Sequence, residues 1–290
     1  MKNQIDISVA TGVPVFGVYV PDRNIPHLML PFRDVRILLS LEYSNSGFND
    51  VAIIRGVGGR AGEELMLADI IKNFIREVKE FLGFRSAFRV RVEYESLLSP
   101  LQLYAASTMS ILSAMREYLD SPMLDKNMII SLGERVDRRV GLKIPQSIIN
   151  AYRIVSMEEK PVVYRRGEGV VVLPFTEVLS RFANMVKLHY LPDYEIKYFL
   201  DHPLMDVVVH GISITVIESV KKSSESVDIL SSLFEAEVHL QKIIIKGGGK
   251  CNLLKLFPDI AGALAVSINT SSVSYTHLRA HETEADLVCR

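Results

Sequence analysis

The segment Ser99-Pro100-Leu101-Gln102-Leu103-Tyr104-Ala105-Ala106-Ser107-Thr108-Met109 stands where a chain could hold a phosphate. It follows Phe88-Arg89-Val90-Arg91-Val92-Glu93-Tyr94, whose alternation reads as a strand, and it leads into an apolar-periodic stretch over 109–119 that reads as a helix. A strand, a short loop and a helix N-terminus aim unpaired backbone N–H groups and the positive end of the helix dipole at one anion. Glycine normally supplies the close approach and the positive φ that such a loop needs. Here Gln102 and Tyr104 bring side chains instead. Ser107 and Thr108 offer hydroxyls that could contact a phosphate or a metal, or could simply cap the helix. The scaffold of a phosphate loop is expected, with its chemistry reduced.

Laid without gaps on P-x-G-x-G-L-G-S-S-A, the segment matches Pro100 to the proline and Ala106-Ser107-Thr108 to Gly-Ser-Ser. Gln102 and Tyr104 fall on the first two glycines. Ala10-Thr11-Gly12 is similar to an opening Ala-Pro-Gly, and Pro145-Gln146-Ser147-Ile148-Ile149-Asn150-Ala151 is similar to P-S-G-I-D-N-A. These motifs, in this order, belong to the GHMP superfamily of small-molecule kinases, among them galactokinase, homoserine kinase and mevalonate kinase. The chain resembles a divergent, degenerate member of it.

That resemblance implies ATP and magnesium as cofactors of an active chain, and none otherwise. Ala106, Ser107 and Thr108 would be the nucleotide-binding residues. The aspartate of P-S-G-I-D-N is associated with orienting or deprotonating the acceptor hydroxyl, and Ile149 occupies its position, so no catalytic residue is assigned. A glutamate ahead of that motif holds magnesium in some members, and Glu134 is the candidate, although its distance from Pro145 is a few residues long. An exposed helix carboxylate is the other reading of Glu134.

The rest of the chain offers weaker chemistry. Lys246-Gly247-Gly248-Gly249-Lys250 lacks the Walker spacing and the following Ser or Thr, and reads as a turn. Gly56-Val57-Gly58-Gly59-Arg60-Ala61-Gly62 reads as a loop whose N–H groups and Arg60 could hold an anion. His27, His189, His202, His210 and His239 are dispersed, without metal spacing. Arg135, Arg138 and Arg139 form either a solvated helix face or a contact for a phosphorylated ligand.

Composition narrows the classes. A formal net charge of −1 over 290 residues gives no nucleic-acid footprint. Two cysteines make no disulfide framework or metal knuckle, which fits a reducing cytoplasm. No apolar run reaches the ~18 residues of a membrane span, and the N-terminus has no signal-peptide core. From about Val273 the chain resembles a translated sequencing-adapter tail, and His277, His281 and Cys289 within it are not taken as a metal site. The natural C-terminus is therefore expected to be missing.

The elements that must position the motifs follow an α+β order. Strands are expected over 5–20, 35–43 and 50–54, and a helix over 63–82 with Leu67, Ile70, Ile71, Phe74, Ile75 and Val78 on one side and Gly83 as its stop. Next come the strand into Tyr94, the loop with its helix, a helix over 127–139, a short helix after Pro145 and a hairpin around Gly167-Glu168-Gly169. Further on, 185–190 and 262–268 read as strands and 227–240 as a helix. The Val- and Ile-rich stretch 205–220 fits either state. The expected architecture is two-domain and GHMP-like, with mixed or antiparallel sheets and helices on one face. Residues 1–175 form the N-terminal domain, 176–272 a truncated α+β domain and 273–290 the tail.

Two function classes stay open. One is an ATP-dependent kinase acting on a small alcohol or phosphate acceptor. The other is a non-catalytic protein of the same fold that binds a small-molecule ligand or a partner chain. A homo-oligomer is compatible with either. The acceptor is not specified by the sequence.

Overall fold

The computed structural model describes residues 4–44, 49–56, 60–94, 98–119, 125–165, 169–246 and 254–269. The adapter-like tail, residues 247–250 of the Lys246–Lys250 turn, residues 57–59 of the glycine-rich stretch and residues 167–168 at the hairpin tip lie outside these residues. In chain order the elements are β1 (Gln4–Phe16), β2 (His27–Ser44), β3 (Val51–Gly56), α1 (Ala61–Leu82), β4 (Ala87–Tyr94), α2 (Pro100–Leu119), α3 (Lys126–Val140), α4 (Gln146–Glu158), β5 (Val162–Arg165) and β6 (Gly169–Val172). They continue with α5 (Glu177–Met185), β7 (Val186–Pro192), α6 (Met205–Lys222), α7 (Val227–Ile244), β8 (Lys255–Asp259) and β9 (Gly262–Ile268). The fold is α+β with mixed and antiparallel strand pairing.

The chain divides into two compact units that exchange segments. The first holds the chain up to Val13, Pro31–Lys160 and Asp259–Ala261; the second holds Pro14–Leu30, Pro161–Pro258 and the chain from Gly262.

In the first unit, β4 runs parallel to β3 and antiparallel to β2, with Leu39 opposite Val92 and Ile54 beside Val92. The alternation read from the sequence is the burial pattern of β4: Phe88, Val90, Val92 and Tyr94 are buried while Arg89, Arg91 and Glu93 face out. One face of this strand is thus committed to a core. The helix read over 63–82 is α1, which buries Leu67, Ile71, Phe74, Ile75 and Val78 and stops at Gly83, with φ 71°. Helix α1 packs on β3, α2 and α3, and α2 also packs on α4.

Helix α2 departs from expectation, beginning at Pro100 rather than near Met109. The expected loop is therefore two turns of helix. The cause is local. Ser99 accepts from the Gln102 N–H at 3.3 Å through Oγ, and Gln102 Oε1 accepts from the Ser99 N–H at 3.1 Å. This reciprocal pair is a capping box, and Pro100 sits at the first helical position, where its missing N–H costs nothing.

In the second unit, β7 pairs with β9 in an antiparallel register that sets Val186 opposite Ile268, and β8 lies on the far side of β9. The start of β2 pairs with β5, and β5 with β6, completing the expected hairpin. The ambiguous stretch is helix α6, packed on α7. Val18, Val20, Ile25, Met205, Val208, Ile212 and Ile244 make one core cluster here. Helix α5 and strand β8 were not anticipated. The strand expected over 5–20 ends at Phe16, and the one expected from 35 begins at His27.

Candidate functional site

The α2 N-terminus is the place to look for an anion site, and its N–H groups already have acceptors. Ser99 and Gln102 serve one another, as described. The Leu101 N–H donates to Asp259 Oδ1 at 3.0 Å, and the Ile260 N–H reaches the same oxygen at 2.7 Å. A carboxylate thus stands on the positive end of α2, where the helix dipole favours negative charge. Asp259 is only 7% exposed, and its Oδ2 is buried without a hydrogen-bond partner. Burial pushes its carboxyl up to about 6, against the hydrogen bonds from Ser99, Ile260 and Leu101 that favour the charged form.

The residues on the two glycine positions are engaged inward. Gln102 Nε2 donates to the Gly12 carbonyl at 2.8 Å, tying α2 to β1. A Cβ at Gly12 would come within 3.2 Å of the Tyr152 ring, so the opening Ala10-Thr11-Gly12 motif meets α4 closely. Tyr104 is fully buried, its ring set edge-on to Phe74 at 6.1 Å, and its hydroxyl donates to Asp137 Oδ1 at 2.5 Å. Arg153 closes the network with bonds of 2.7 and 2.8 Å to the Asp137 carboxylate, all of it away from water. Gly133 leaves room for this guanidinium, since a Cβ there would lie 2.6 Å from Arg153 Nη1.

Ala106, Ser107 and Thr108 are all fully buried in the body of α2. Thr108 Oγ1 donates to the Tyr104 carbonyl at 2.8 Å and accepts from Arg153 at 3.0 and 3.1 Å. Ser107 Oγ is buried without a partner. None of the three stands at the helix start where the loop reading put them, because the capping box moves that start to Pro100.

Ile149 is fully buried on α4. Beside it, Asn150 Nδ2 donates to Glu134 Oε1, and Glu134 also pairs with Arg138 at 3.4 Å. Each arginine considered as a ligand cluster has a contact within the chain: Arg138 pairs with Glu134 at 3.4 Å, Arg139 with Glu77 at 3.2 Å, and Arg135 lies over the Phe81 ring at 5.4 Å. In the glycine-rich stretch, the Gly56 N–H donates to Glu64 Oε1 at 3.0 Å and Arg60 pairs with Glu63. Among the described residues no group of His, Cys, Asp or Glu is arranged to hold a metal by itself. No helix among them is long and apolar enough to cross a membrane.

Sequence reasoning missed Asp259, Asp137 and Arg153. The capping box had a readable signal, Ser-x-x-Gln ahead of an apolar run. The Asp259 contact had none, because it joins positions far apart in the chain.

The architecture compares closely with solved structures. The L. major mevalonate kinase in complex with R-mevalonate superposes with a TM-score of 0.65 at 14% identity, over 93% of this chain and 89% of that one. The fold is that of the GHMP kinases. A D-glycero-D-manno-heptose 1-phosphate kinase from Bacteroides thetaiotaomicron shares this GHMP fold with a TM-score of 0.62 at 12% identity, over 91% of this chain and 87% of that one. The mevalonate diphosphate decarboxylase of Staphylococcus aureus gives 0.55 at 9% identity, over 93% and 89%. No family model matches the sequence, and no curated protein matches it. These identities establish the GHMP fold alone, and a fold that hosts both kinases and a decarboxylase does not name a reaction.

Proposed function

We propose that this chain is a GHMP-kinase-like protein that works by binding a ligand or partner and does not transfer phosphate by the route of its fold relatives. The observation that carries this reading is the hydrogen bond from the Leu101 N–H to Asp259. A phosphate arriving at the α2 N-terminus would have to displace a carboxylate, or approach it as a like charge. The residues present therefore do not fit the phosphates of ATP. Ala106, Ser107 and Thr108, the positions taken for nucleotide contact, are inside the helix and the core. Magnesium would need Glu134 freed from Asn150 and Arg138.

The acceptor side supports the same reading. Ile149 can neither take a proton nor orient a hydroxyl, and general-base assistance contributes roughly 10²–10⁴-fold in rate. Two separate parts of a phosphoryl-transfer site are thus lacking. The competing reading, an ATP-dependent small-molecule kinase, rests on the fold and on the three motif resemblances.

A coupled assay for ADP release, run with Mg-ATP against a panel of small alcohols, sugars and phosphorylated acceptors, tests the proposal. No acceptor-dependent release above the no-enzyme rate is expected. Acceptor-dependent turnover at about 1 s⁻¹ or faster, the low end of kinase rates, would overturn it.

A further inference from the structure

The turn that joins β1 to β2 starts at Gly17 and runs into His27, and its two ends pack on one another inside the second unit. Gly17 has φ 88°, and a Cβ there would lie 2.4 Å from the Pro26 carbonyl oxygen and 2.6 Å from His27 Nδ1. Only glycine fits. The Gly17 N–H donates to Glu237 of α7 at 2.9 Å. Glu237 also accepts from Thr215 of α6 at 2.5 Å and from Lys255 of β8. His27 is 5% exposed, and its Nδ1 is buried without a hydrogen-bond partner. Between the two ends, Val18, Val20 and Ile25 join the core cluster that includes Met205, Ile212 and Ile244.

We infer that His27 is an acid-sensitive latch on this turn: the neutral ring holds residues 17–27 in place, and protonating it releases them from the rest of the unit. An imidazolium carries a proton on both nitrogens. The one on Nδ1 would be buried beside Gly17, where that nitrogen has no partner among the described residues. The groups around the ring do not offset its charge. Lys255 of β8 opposes a second positive charge. Glu237 of α7 is already engaged by Lys255, Thr215 and the Gly17 N–H. Tyr164 stands opposite His27 on β5, and a phenol supplies no negative charge in acid. Burial first, and then the Lys255 charge, push the imidazole from 6.5 down to about 4. In the released turn the ring regains its ordinary value. The open state therefore binds the proton more readily, and the hold on the turn, full above about pH 6.5, is lost as pH falls towards about 4. Between pH 7.5 and pH 5 this shifts the opening equilibrium about 30-fold.

Hydrogen exchange of the full chain at pH 7.5 and pH 5, read by mass spectrometry, tests this, with each rate divided by that of an unstructured peptide at the same pH. Peptides within 17–27 should lose about 30-fold in protection at pH 5, and peptides within α1 should show no such loss. In His27→Gln, which has no titrating ring, the loss over 17–27 should shrink to about threefold or less. A wild-type loss below about threefold would overturn the inference. So would a loss that persists in His27→Gln, which would assign it to Glu237 instead. The ring gives a second readout on the wild type alone. In proton NMR the His27 Cε1–H should keep its neutral position at pH 5.5, where an ordinary imidazole is mostly protonated. A His27 ring half protonated near pH 6.5 in the folded chain would overturn the inference. None of these outcomes depends on whether the chain binds nucleotide.

Discussion

Asp259 and Leu101, 158 residues apart in sequence, are joined at 3.0 Å by a hydrogen bond from the Leu101 backbone N–H to the Asp259 carboxylate. The positive end of α2 is thereby neutralised from within the same unit. The capping box of Ser99 and Gln102 adds to this. Helix α2 therefore carries a carboxylate of its own chain at its N-terminus.

The ionisation of Asp259 should be visible in stability. Its carboxyl is raised from 3.8 to about 6 by burial. Between those values the folded state binds more protons than the unfolded one, so stability falls as pH rises. The contribution is full below about pH 4 and is lost as pH passes about 6. Asp259→Asn keeps an acceptor and loses the proton. Urea melts at pH 4.5 and pH 7.5 should show wild type losing about 2 kcal/mol relative to Asp259→Asn. A difference that is constant with pH would contradict this.

Helix α1 and strand β4 were legible because each has one buried side, and a single period, 3.6 or 2, survives in the residue order. Residues 205–220 were not, because α6 is apolar on both faces and its Val and Ile content favours strand as much as helix. The loop was misread for a different reason. Motif alignment placed the helix start at the Ser-Thr pair, whereas Ser99 and Gln102 cap it two turns earlier. That Tyr104 brings a side chain to a position where the similar motif has glycine was readable. That it is anchored to Asp137 and Arg153 was not, since α2, α3 and α4 each supply one member. Glu134 illustrates the same limit, because its partner Asn150 comes from the next helix.

The buried network of Arg153, Asp137 and Tyr104 should dominate the stability of the first unit. Arg153→Ala leaves the buried Asp137 carboxylate without a countercharge, which costs about 3–5 kcal/mol. Tyr104→Phe removes one hydrogen bond to a charged group and should cost about 1–3 kcal/mol. Chemical denaturation of both variants and of the double variant checks this, and the two costs should not add, because both residues share Asp137.

In the second unit, Lys255 bonds Glu237 and the Val15 carbonyl at the centre of the Phe16, Phe234 and Phe257 rings. Burial pushes the Glu237 carboxyl up and the Lys255 amine down. Lys255→Met alone should destabilise by about 3–5 kcal/mol. Adding Glu237→Gln should return most of that loss, because the uncompensated charge is gone. Thermal unfolding of the single and double variants separates a coupled pair from two independent residues.

Restoring glycine should not restore a nucleotide site. Gln102→Gly with Tyr104→Gly deletes the cap, the bond to Gly12 and the bond to Asp137, so the double variant is expected to lose several kcal/mol of stability. Asp259 would remain on the helix N-terminus. Equilibrium unfolding, with and without Mg-ATP, should show that loss and no recovery by the nucleotide.

Isothermal titration of the wild-type chain with Mg-ATP at pH 7.5 tests the central claim most directly. With Asp259 ionised on α2 at that pH, the account expects no saturable heat up to about 1 mM nucleotide, a binding free energy weaker than about −4 kcal/mol. A saturable isotherm with a micromolar dissociation constant would contradict it.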